Sequence, residues 1–164
     1  MQYKVTSEAP GGTRALKVMS EATVRHLVDR GLKEGMRLRV AESGEGLELR
    51  RPGWLVTVVP EGGVAVLTKR QREEVTAVLA GALPVKWVWS RRNRGCLMVG
   101  ERRLSGAMSD SMADAGLVTE PKEPGPTSLT VAAVLAWCAG GKAGTRGSRL
   151  SVLPDLVRKV CVGE

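Results

Sequence analysis

At 164 residues the chain has the length of one domain, with a core built without Ile or Phe from Val, Leu, Ala, Met and four Trp. Its net charge of +8 is concentrated: residues 69–103 hold nine basic and three acidic residues, against ten and eight in 1–68 and six and six in 104–164. Three scattered cysteines and a single histidine, His26, argue against a zinc site and a disulfide framework, and no apolar run reaches the roughly 18 residues of a membrane span.

In chain order, QYKVTS (2–7) reads as a short strand ended by APGG. The helical spacing of Val24, Leu27, Val28 and Leu32 predicts a helix, with Ser20 able to cap its start and Gly35 to close it. Ala15 to Met19, just before it, suits either that helix or a strand. Residues 36–68 alternate. Met36, Leu38 and Val40 oppose Arg37 and Arg39, SGEG turns, and GLELRR, WLVTVV and VAVLTK complete an expected four-stranded antiparallel meander. KRQREEVTAVLAG predicts the next helix, with Val75, Val78 and Leu79 on one face and Gly81 at its end.

A second hairpin follows, VKWVW and CLMVG about the turn SRRNRG. Trp87 and Trp89 share a face with Val85, so at least one of them is expected in the core. Beyond it, MSDSMADAG suits a short helix, TEPKEPGPTS a surface loop, LTVAAVLAWCAGG a buried segment and GKAGTRGS a loop. RLSVLPDLVRKVCV starts as a strand and turns helical after Pro154. The expected fold is α+β: a bent, mainly antiparallel sheet with one long helix packed across it. Residues 1–103 form the sheet and helix core, and 104–164 a smaller mixed lobe that returns to the sheet.

Catalytic chemistry finds little support. His26 lies in a predicted helix, and no Ser or Cys has a recognisable partner. CAGGKAG lacks the spacing and the hydroxyl of a phosphate loop. Glu42, Glu45 and Glu48 gather at a hairpin, where three carboxylates are usually a solvated edge. The reading is a binding domain without metal or cofactor, soluble and intracellular.

The order of elements resembles, close to end to end, the cap-binding domain in the middle of the second basic subunit of orthomyxovirus RNA polymerase, in a divergent, thogotovirus-like branch. The residues that carry the resemblance are MQYKVTS, LKEGMRLRVAESGEGLEL, WLVTVVPEGGVAVLTK, EEVTAVLAGALPV, VAAVLAWCAGG and TRGSRLS. It implies a non-catalytic domain that grips the 7-methylguanosine cap of host messenger RNA for cap snatching, beside the other polymerase subunits and viral or host RNA, in the host nucleus. A cationic purine is there sandwiched between two aromatic rings while an acid reads the guanine edge. Glu45 falls at the acid's place. The two aromatic places fall at Ala41 and at Leu83 or Pro84, and the basic residue of the guanine side near Pro60.

With no aromatic pair, the expectation is that the fold persists and cap binding is weak or lost. The alternative is a stacking surface relocated to Trp54, Trp87 or Trp89. Outside cap recognition, the basic 69–103 window suits an RNA-binding or subunit-docking module, with Arg91, Arg92, Arg94, Arg102 and Arg103 as the contacts.

Overall fold

The computed structural model describes residues 1–41, 45–89, 95–119, 124–139 and 155–161. It is α+β, built on two antiparallel sheets. β1 (Gln2–Glu8) and β2 (Arg14–Ser20) form a hairpin, and α1 (Glu21–Lys33) follows at once. Ser20 caps α1, its hydroxyl accepting the Thr23 N–H, and Gly35 ends it at φ +84°, a backbone angle at which a side chain would be strained. β3 (Arg37–Val40), β4 (Leu47–Arg51) and β5 (Trp54–Pro60) are the first three strands of the expected meander.

The fourth expected strand, VAVLTK, does not form; residues 63–68 are irregular. β1 occupies the place beside β5, pairing Tyr3 with Pro60 and Val5 with Val58, so the order is β2-β1-β5-β4-β3. With its ladder partner taken, this segment buries Leu67 and leaves Val66 91% exposed. Its last residue, Thr68, opens α2 (Lys69–Gly81) with a reciprocal capping box to Gln71. α1 and α2, the two helices expected from the apolar spacing, are each 13 residues long. At the end of α2 the left-handed residue is Ala82, at φ +50°, and not Gly81.

The second sheet has the order β8-β7-β6-β9. It comprises β6 (Val85–Trp89), β7 (Gly95–Val99), β8 (Arg102–Arg103) and β9 (Gly125–Thr127). Between β8 and β9 lies α3 (Gly106–Asp114), and after β9 come α4 (Val131–Ala139) and α5 (155–161). α3 packs on β7 through Met108 and Met112, while the Ser109 hydroxyl accepts the buried Leu97 N–H at 2.9 Å. A single core joins the two sheets, running from Tyr3, Val24, Val28 and Leu47 to Trp87, Leu97, Met112 and Leu135.

α4 explains why the apolar segment is buried, since residues 131–138 all lie inside. A helix start in the interior needs acceptors for its first N–H groups, and three are supplied. Val131 donates to Glu21 Oε1 at 2.7 Å, Ala132 to the Tyr3 hydroxyl at 2.9 Å and Ala133 to Thr130 Oγ1 at 3.1 Å. Arg25 completes the joint, donating to Ser128 Oγ and the Leu129 carbonyl, both at 2.7 Å, and pairing with Glu21 at 3.2 Å. Burial, and then the Glu21 carboxylate beside it, hold the Tyr3 phenol well above its ordinary pKa. The chain's one tyrosine is therefore a fixed neutral group that seats α4 on the first sheet.

Candidate functional site

The β3–β4 ladder sets four charged residues on one face. Arg37 lies opposite Arg50 and Arg39 opposite Glu48, and residues paired directly across a ladder share a face. Like charges set directly opposite each other weaken a sheet, so the Arg37–Arg50 pair works against the fold that carries it. Such a local conflict is characteristic of a site kept for function. Glu48 relieves part of it: only 8% exposed, it accepts from Arg39 Nε at 3.1 Å and lies 3.6 Å from Arg50 Nη2. The reading of Glu48 as a solvated edge is thus corrected. It is the buried anchor of two guanidinium groups, while Glu42 lies outside the described residues.

The turn after β4 extends the cluster. Gly35, Arg37, Arg39, Arg50, Arg51, Pro52 and Gly53 line a concavity of about 680 Å³ in which every charged lining residue is an arginine. Arg51 lies over the Trp54 ring, 5.3 Å from its centroid, with its Nε buried and without a hydrogen-bond partner among the described residues. Trp54 is 37% exposed and lines an adjoining 180 Å³ cleft with Leu27, Met36 and Val56. The arginine concavity with its recessed carboxylate, next to a half-open indole whose cleft also holds the Arg30–Glu34 pair, is suited to phosphate groups with a base or ring beside them.

The residues singled out in the sequence are dispersed. Ala41 is buried where it closes the β3–β4 hairpin, its N–H donating to the Gly46 carbonyl at 2.9 Å, and Glu45 is exposed next to it. Leu83 belongs to the connection from α2 to β6, where it lines a 200 Å³ apolar cavity with Val78, Val85, Leu129 and Val160. Neither this cavity nor the concavity that Leu83 shares with Val99, Gly100 and Arg102 includes Ala41 or Glu45. Pro60 is buried in β5.

Trp87 is core: it is 7% exposed, and its indole N–H donates to the Thr119 carbonyl at 2.7 Å. No face of it is offered for stacking. Trp89, at the end of the same strand, is 49% exposed. Arg91, Arg92 and Arg94 lie outside the described residues. Arg102 is held in a two-pronged contact by Glu74, at 2.6 and 2.7 Å, and this hydrogen-bonded pairing raises its pKa further. Arg103 is exposed.

Of groups that chemistry would need, few are poised. Cys96 and Cys138 are buried thiols, and burial pushes Cys161 up to about 12, far from the thiolate that a nucleophile or metal ligand requires. His26 is exposed on α1. Among the described residues no group of three His, Cys, Asp or Glu side chains could hold a metal ion, and no helix is long and apolar enough to cross a membrane. The arginine face was missed in the sequence because residues 1–68 nearly balance in charge. Its signal is the register that sets Arg37, Leu38 and Arg39 against Arg50, Leu49 and Glu48. Compared with known protein families, curated proteins and solved structures, the chain matches none.

Proposed function

We propose that this chain is a non-catalytic RNA-binding domain that holds single-stranded RNA by its phosphates in the concavity lined by Arg37, Arg39, Arg50 and Arg51, with Trp54 beside it as a stacking surface. The observation that carries the reading is the Arg37–Arg50 pair set directly opposite in the ladder at the rim of an arginine-lined concavity. The resemblance to a polymerase cap-binding domain favours RNA over other polyanions. In this reading the domain belongs to a viral polymerase subunit and works beside partner subunits in the host nucleus. Cap recognition is weak or lost in this reading: Ala41 is buried, Leu83 lies in another part of the fold, and among the described residues no pair of aromatic faces flanks Glu45.

The test is the salt dependence of binding to a fluorescent oligouridylate. Replacing Arg37, Arg50 and Arg51 by Gln removes three phosphate contacts and leaves the Arg39–Glu48 pair in place. The slope of log K against log salt should then fall in magnitude by about 2, at roughly 0.7 per contact on a single strand. Capped and uncapped RNA should bind alike, and 7-methylguanosine nucleotides should not quench tryptophan specifically. An unchanged slope in the triple variant would place RNA elsewhere or nowhere. Cap-specific quenching lost in Glu45→Ala would restore cap recognition.

A further inference from the structure

The two edges of the five-stranded sheet are treated differently. β3, at one edge, has four residues and carries Arg37 and Arg39, a short charged edge of the kind that discourages further pairing. β2, at the other, runs for seven residues, RALKVMS, in unbroken register with β1 from Gln2 opposite Ser20 to Glu8 opposite Arg14. It has no bulge and no proline. Leu16 and Val18 are 67% and 57% exposed on it, and among the described residues no strand pairs with its outer side.

The backbone phase of that edge follows from two hydrogen bonds. The Ala9 N–H donates to the Thr13 carbonyl, and the Glu61 N–H to the Gln2 carbonyl. Antiparallel pairs alternate between bonded and non-bonded, so odd residues of β1 bond to β2 and even ones to β5. On β2, Ala15, Lys17 and Met19 therefore turn their N–H and C=O groups to β1. Arg14, Leu16, Val18 and Ser20 turn theirs outward. The outward-turned backbone groups thus belong to the same residues that expose the two apolar side chains.

We propose that β2 is a strand-addition site for an extended acidic and apolar segment of a protein partner. An added strand would set apolar side chains beside Leu16 and Val18 on the outer face and, at alternating positions, acidic ones beside Lys17 on the other. Charge selects this occupant. β2 holds Arg14 and Lys17 and no acid, Lys4 lies opposite Val18 on β1, and the carboxylate opposite Arg14, Glu8, is taken up by it at 2.9 Å. A second copy fits poorly: the symmetric register that mates Leu16 with Val18 sets Lys17 against Lys17, between chains that each carry +8. The site lies at the edge away from the arginine face and does not depend on RNA binding there.

The probe is a synthetic peptide of about eight residues alternating valine and glutamate, long enough to pair along all of β2, with its valine–lysine counterpart as control. Amide hydrogen exchange on the full chain should show Leu16 and Val18 slowed at least about tenfold at saturation by the acidic peptide and unchanged by the basic one. The Leu16→Glu, Val18→Glu double variant, which alters exposed side chains and keeps the ladder, should fold normally and lose the effect. No protection at millimolar acidic peptide, equal protection by both peptides, or protection that survives in the double variant would each overturn the proposal. So would a concentration-dependent dimer that protects the same amides without peptide, since a second copy would then be the occupant.

Discussion

Glu21→Ala should lower the unfolding free energy by about 3–4 kcal/mol, the range for removing one partner of a buried, hydrogen-bonded ion pair. The carboxylate acts in three places at once. It is the acidic residue of the first turn of α1, the acceptor for the Val131 N–H at the start of α4, and the ion-pair partner of Arg25. Alanine leaves the Val131 N–H buried without an acceptor and the Arg25 guanidinium without its counter-charge. The loss of a negative charge at two helix N-termini adds to both. Glu21→Gln keeps an acceptor and should cost about 1–2 kcal/mol, the worth of the charge in the hydrogen bond. Glu34→Ala breaks an exposed pair with Arg30 on the same helix and should stay within about 0.5 kcal/mol. Urea titrations at constant slope measure all three. A Glu21→Ala loss no larger than that of Glu34→Ala would mean that α4 is seated by packing alone.

That capping arrangement also marks where sequence reading reaches its limit. Ser20 and Gly35, which bound α1, act on residues within a turn of themselves, and both were legible. The paired strands about SRRNRG were equally so, and the apolar run around Val131 was recognised as buried. Glu21, in contrast, meets its acceptor role 110 residues away, and no local pattern encodes it. VAVLTK failed for a related reason: alternation shows that a segment can be a strand, whereas the place beside β5 is won by β1, which comes nearly sixty residues earlier. Trp87 and Trp89 have the same parity and different fates because parity fixes the face alone. Trp89 stands at the strand end, beyond the reach of the core. The arginine face was hidden in the same way, since Arg37 and Arg50 become a pair only through the ladder register.

Gly46→Ala should be nearly as damaging, by about 3 kcal/mol, the upper part of the range for overpacking a filled interior. A Cβ at this position would run into the Val58 carbonyl oxygen and sit 2.9 Å from Val59 Cγ2 and 3.2 Å from the Val58 carbonyl carbon. No rotamer relieves the first contact, because Cβ is fixed by the backbone and so is the oxygen. Either β4 moves off β5, or the hairpin tip twists away. The first separates Leu47 from Val58, directly paired and both fully buried, and the second strains the bond from the Ala41 N–H to the Gly46 carbonyl. Both routes shift β4 against β3, so oligouridylate affinity should fall with stability even though no arginine is altered. Gly106→Ala is the matched control: nothing lies within 4 Å of its Cβ, and it opens α3, where alanine is the better helix former. That variant should be neutral or stabilising by a few tenths of a kcal/mol. Equal denaturation midpoints for the two alanine variants would mean that β4 and β5 have room between them, and the close approach that sets the register of the arginine face would have to be abandoned.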